Sequence, residues 1–172
     1  TPNMAIYETG GGTGSGIALV GDQVQFRGIG GGQSFIASYD LVANPNAGLA
    51  GFDPTADFFQ IGASYDVATD EAVLYINGVE VDRQAVGGQL NNIDGGDGMA
   101  IGAVGENNMG GWGGGTQGFS SFDGELAAFR VYDSDTDAND VTMLSNSFTF
   151  MSTALPANLT VTTTGCLLYT SD

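Results

Sequence analysis

Histidine and lysine are absent from this 172-residue chain, cysteine occurs once and proline four times. Without histidine, neither a Ser-His-Asp or Cys-His catalytic unit nor a histidine-ligated metal can be built from these residues. The single cysteine, Cys166, lies near the C-terminus and supports no disulfide argument. Positive charge is nearly missing as well: Arg27, Arg83 and Arg130 stand against 20 acidic residues, for a net charge of −17. Nucleic-acid binding rests on Lys and Arg neutralising phosphates, so a nucleic-acid partner is excluded on charge, and so is adsorption to an anionic membrane surface. No stretch approaches the roughly 18 consecutive apolar residues of a spanning helix, so no membrane insertion is expected.

What the chain has in abundance is glycine, 29 residues, alongside a hydrophobic content of 42%. The glycines gather in runs such as GGGTGSG (10–16), GIGGG (28–32) and MGGWGGG (109–115), with short apolar segments between them. Strands at regular spacing joined by permissive turns produce that pattern, and it predicts an all-β fold. The clearest part is residues 58–83, FFQIGASYDVATDEAVLYINGVEVDR. Asn77-Gly78 is the dipeptide that accepts positive φ at both central positions of a type I′ turn. Ala72, Leu74 and Ile76 alternate with Val73 and Tyr75, and Val79 and Val81 with Glu80 and Asp82, which places the acids on the solvated side. Apolar character on both faces suggests strands inside an antiparallel two-sheet β-sandwich.

Further strands are expected at Met4–Thr9, Ile17–Val20, Gln23–Arg27, Ser34–Val42, Met99–Val104 and Phe122–Tyr132, the second and third forming a hairpin about Gly21-Asp22. One short helix is predicted near the C-terminus, at Asp137–Ser147, capped by Asp137 and docked through Val141, Leu144 and Phe148. Length favours one domain over residues 1–150, followed by a linker and tail over 151–172. The last nine residues, TGCLLYTSD (164–172), resemble translated read-through of a sequencing adapter and are expected to be non-native. Thr1-Pro2 opens the chain with no leader, so any secretory signal would lie outside this sequence.

Three phrases in this order carry a family resemblance: DEAVLYINGVEVD, the strand at Ala100–Val104, and FDGELAAFRVYDSDTDANDV. Together they resemble the laminin-G-like, concanavalin A-like lectin/glucanase superfamily, whose members end on a phrase matched here by Phe122, Asp123, Gly124, Leu126, Ala127, Arg130, Tyr132, Asp133 and Val141. AIYETGGGTGSGIALVGDQVQFRG is similar to the glycine-rich hairpin of bacterial secreted members. The resemblance spans roughly residues 4–148 and implies a jelly-roll sandwich, an extracellular or cell-surface location, and a place within a larger multidomain polypeptide. An earlier strand usual in that family has no counterpart here, so the chain is expected to begin partway into its domain. A serine and leucine that usually precede the helix are replaced by Thr136 and Asp137.

Glycoside hydrolysis would need two carboxylates facing each other about 5–9.5 Å apart across a cleft. The nearest sequence match is Glu80-Val81-Asp82, followed by Gln84 and Ala85 where a second glutamate would be required, so no catalytic residue is assigned. The GGGTGSG loop lacks the Lys-Ser/Thr of a phosphate cradle. For a glycan, an aromatic face and neighbouring amides are the needed chemistry, and Trp112 beside Asn107 and Asn108 supplies both. The alternative for Trp112 is a side chain folded back to hold its loop on the sandwich. Calcium takes hard oxygen ligands in a flexible loop, and residues 91–98 concentrate amides, glycines and the carboxylates Asp94 and Asp97. A second acidic run, Asp133-x-Asp135-x-Asp137, lacks the glycine and glutamate of an EF-hand loop and is read as helix capping. The leading expectation is a noncatalytic secreted module that binds a glycan or a cell-surface or matrix protein. A spacer domain without a ligand comes second and a glycoside hydrolase third.

Overall fold

The computed structural model describes residues 3–44, 58–91, 96–105, 109–113 and 118–131. The helix expected over 137–147, the tail, and Asp94, Asn107 and Asn108 lie outside the described residues. Within them the chain is all β, with nine strands and no helix: β1 (Met4–Gly10), β2 (Gly14–Val20), β3 (Gln23–Gly30), β4 (Gln33–Asp40), β5 (Ile61–Asp66), β6 (Glu71–Ile76), β7 (Val79–Ala85), β8 (Ala100–Ile101) and β9 (Ser120–Ser121).

Two sheets form. The larger has the order β4-β3-β2-β1-β8, with β9 also pairing β1, and the smaller is β5-β6-β7. All pairings are antiparallel except β1 with β9. Tight turns fix the registers. Gly21 alone has positive φ between the paired Val20 and Gln23, the arrangement of a type II′ turn, while Gly31-Gly32 and Asn77-Gly78 are positive at both positions, as type I′ requires. Asn77 also binds outside its own turn. Its N–H donates to the Gln60 carbonyl, and its Oδ1 accepts from the Gln60 N–H, each at 2.9 Å.

The two sheets meet through a core of Val24, Phe26, Phe35 and Ala37 from β3 and β4 against Ala72, Leu74 and Ile76 from β6, with Val86 and Leu90 closing one end. Phe26 and Phe35 meet edge to face at 4.8 Å between centroids, a favoured aromatic geometry. The alternation in β6 is as the sequence predicts, but β7 departs from it. A bulge lies between Leu74 and Tyr75 in the β6–β7 ladder, so Asp82 pairs with Leu74 and Glu80 with Tyr75. Val81 still packs on the core, and Asp82 turns toward β4 rather than to solvent. There its Oδ2 accepts the Ser38 backbone N–H at 2.8 Å, and its Oδ1 accepts from Gln84. The bulge thus converts an expected surface acid into a clasp on the outer edge of β4, satisfying a donor that an edge strand would leave open.

The strands expected at Met99–Val104 and Phe122–Tyr132 are the other correction. The first is reduced to Ala100–Ile101, and residues 122–131 contain none. The cause lies on the free edge of β1, which is divided at the irregular register between Ala5 and Tyr7. Below it Met4 and Ala5 pair with β9, above it Tyr7 and Glu8 pair with β8, and the Ile6 carbonyl accepts from Gly102 N–H. Phe122 N–H then donates to the Gly102 carbonyl and Asp123 N–H to Met4 Sδ, so no continuous edge is left for a ten-residue strand.

Candidate functional site

The register of the large sheet assigns its two faces. Ile17, Leu19, Val24, Phe26, Phe35 and Ala37 face the small sheet. On the opposite, outer face run two cross-strand rows, Glu8–Gly16–Arg27–Ile36 and Ala5–Ala18–Gln25–Ser38. This outer face carries a second, smaller core of Ala5, Ala18 and Met109, with Val20, Val104, Trp112 and Phe119 packed around it. The chain segment 109–113 therefore lies across β1–β3.

Backbone makes that contact, and glycine is what permits it. A Cβ on Gly16 would stand 2.8 Å from the Gly110 carbonyl oxygen, and one on Gly110 2.2 Å from that of Thr9. Either is too close for a real side chain, so strand and loop touch main chain to main chain. Glu8 supplies the polar part of the attachment. Fully buried, its carboxylate accepts the Gly105 N–H at 2.8 Å through Oε1 and the Gly110 N–H at 3.3 Å through Oε2. One side chain on β1 thus holds both the segment after β8 and the tryptophan loop, satisfying donors that would otherwise be buried unpaired. Sequence reasoning passed over Glu8; its signal is an acid inside an otherwise apolar strand.

Trp112 is half-buried. Its ring and that of Phe119 meet edge to face at 5.1 Å between centroids, and the Arg27 guanidinium lies over the Trp112 ring at 4.9 Å. Arg27 in turn donates Nε–H to Gln25 Oε1 at 2.9 Å, and Gln25 Nε2 donates to Gln23 Oε1 at 2.8 Å. These three residues at spacing two lie on one face of β3, so their side chains form a hydrogen-bonded ladder running up the strand to the indole. Ser34 and Ser38 of β4 lie on the same face, across from Ile29 and Gln25. Burial pulls the Arg27 guanidinium below its usual value. Arg83 behaves oppositely: Glu80 and Glu71 bind it from two sides and push its value up.

Of the residues singled out in the sequence, Trp112 is brought together with Arg27, a partner the sequence did not suggest. Its packing against Phe119, Arg27 and the second core is that of the anchoring alternative, and the residue as a whole is half-buried. Asp97 is half-buried, and among the described residues no group of three or more acidic, cysteine or histidine side chains is placed to hold a metal. The start of the 91–98 loop is seated firmly, however, since a Cβ on Gly30 would stand 2.3 Å from the Asn91 carbonyl oxygen. Glu80 is exposed and paired with Arg83, and Asp82 is committed to Ser38 and Gln84. No protein-family model matches the chain, and no curated protein matches it.

Proposed function

We propose that the chain is a noncatalytic carbohydrate-binding or adhesion module of a secreted, multidomain protein, built on a concanavalin A-like jelly-roll sandwich and acting outside the cell or at its surface. The observation that carries this reading is the outer face of β3, where Gln23, Gln25 and Arg27 form a polar ladder that ends against Trp112. Sugars are recognised by planar polar side chains whose hydrogen bonds are fixed in advance, together with an aromatic surface for the C–H faces of the ring. Gln23 and Arg27 are half-buried and are both held by the buried Gln25 amide between them, so little of their side-chain entropy remains to be lost on binding. Asn107 and Asn108 precede the tryptophan loop in sequence and are proposed to extend the same surface.

Calcium belongs to this proposal as a structural ion of the 91–98 loop, with Asp94 and Asp97 as the carboxylate ligands that hard-cation chemistry calls for. Its measure is thermal stability with and without excess chelator; an unchanged melting temperature removes the ion from the account. For the glycan reading, affinity-gel retardation of the wild-type chain and Trp112→Ala over a panel of polysaccharides is the direct test. Retardation that is lost in the variant supports the module, and identical mobility of both proteins in every gel contradicts it. That second outcome would leave a spacer domain without its own ligand.

A further inference from the structure

The three arginines of a chain with 20 acidic residues would each be expected to lie against a carboxylate. Arg83 does so twice, with Glu71 and Glu80. Arg27 does not: its guanidinium is held by the neutral Gln25 amide and the neutral Trp112 ring, and among the described residues no carboxylate lies within ion-pair distance of it. A half-buried cation whose partners among the described residues are all neutral carries a desolvation cost that a bound anionic group would offset. The side chain is also oriented. Nε–H is used by Gln25 and one face is set against the indole, which leaves the Nη1/Nη2 end, the edge that forks a carboxylate or sulfate oxygen pair.

We infer that Arg27 is the anion-recognition residue of the proposed glycan site, and that the ligand is an acidic saccharide, a uronic acid or a sulfated sugar within a short oligosaccharide or at a chain end. This rests on the carbohydrate-binding reading and narrows it. The saccharide class follows from Arg27's neighbours: the half-buried Trp112 ring, the buried Gln25 amide that fixes the guanidinium, and Ser34 and Ser38 on the same face are neutral groups rather than further cations. The length limit follows from net charge: at −17 the chain repels a long polyanion, and a single oriented guanidinium engages one anionic group.

The test is calorimetric titration of the full chain with trigalacturonate, a sulfated galactose trisaccharide, neutral galactotriose and succinate. Binding of at least one acidic trisaccharide about tenfold or more tighter than galactotriose is expected, with succinate weakest. Whichever of the two acids binds identifies the anionic group. Arg27→Gln removes the preference, so that the acidic trisaccharide binds no more tightly than galactotriose does to the same variant. Gln25→Glu, which keeps both Arg27 and Trp112 but gives the guanidinium an internal carboxylate, removes it as well, so the result does not depend on a variant that fails to fold. Equal affinity for acidic and neutral sugars, or a preference that survives both substitutions, overturns the role of Arg27 while the carbohydrate reading stands. Succinate binding as tightly as the acidic sugars overturns the saccharide class, and an absence of binding by any sugar overturns both.

Discussion

The two sides of the large sheet are held by different physics. Toward β5–β7 the contact is side chain on side chain: Phe26 and Phe35 press against Leu74 and Ile76, all nearly or fully buried. On the outer side, toward residues 102–105 and 109–113, a smaller apolar cluster about Ala5, Ala18 and Met109 is joined by main-chain contact, through glycine-permitted approaches at Gly16 and Gly110, and by the buried carboxylate of Glu8. The first interface is non-directional and tolerates exchange of one apolar residue for another of similar volume. The second depends on particular hydrogen bonds and on the absence of a Cβ, so it is specific and brittle. That difference suits a scaffold on one side and a positioned surface on the other.

The comparison breaks first at its apolar side. Leu74→Ala removes a fully buried side chain from between the sheets and is expected to lower unfolding stability by about 3 kcal/mol. Because Trp112 is the only tryptophan and sits on the opposite face, its emission in the folded state should not move. Glu8→Ala is the counterpart and should cost about 2–3 kcal/mol, the consequence of leaving the buried Gly110 N–H and the part-buried Gly105 N–H without their acceptor. Here the folded-state emission should shift to the red as the loop loosens. A shift in the Leu74 variant, or none in the Glu8 variant, would show that the two sides are not separately held.

Smaller effects sharpen the picture. Asn77→Gly keeps both turn positions able to adopt positive φ but deletes the Oδ1 acceptor of Gln60 N–H, for an expected loss of about 1 kcal/mol in chemical denaturation. Smallest is Glu80→Gln, at under about 1 kcal/mol, since both partners of its bridge are exposed. The Arg83 guanidinium holds the Glu80 carboxyl below its ordinary value of 4.5. The bridge's contribution is therefore full above that value and lost as pH falls through the lower folded one. The difference between wild type and variant should close on acidification and also in high salt. A difference that widens toward acid would reverse the assigned sign.

The same contrast explains what could be read from the sequence. The Asn77-Gly78 hairpin, the Gly21-Asp22 turn and the alternation of Ala72, Leu74 and Ile76 are local signals, and the structure repeats them nearly residue for residue. Glu8 was not legible because its partners lie 97 and 102 residues away and are backbone groups without any side-chain signature. The strand expected from Phe122 failed for a related reason: its apolar residues were visible, but the division of the β1 edge between β8 and β9 is a tertiary property. One extra residue at Val81 was enough to redirect Asp82, since alternation survives only while the ladder is regular. The Arg27–Trp112 contact joins residues 85 positions apart and could be found only in the folded chain.

The most direct measurement is backbone amide mapping by NMR, titrating the folded chain with the tightest-binding oligosaccharide. The account predicts that the largest shifts cluster at Gln23, Gln25 and Arg27 of β3, at Ser38 of β4 and at the Trp112 indole, with β5–β7 nearly unmoved. Shifts concentrated on the small sheet, or none at β3 and Trp112, would contradict it.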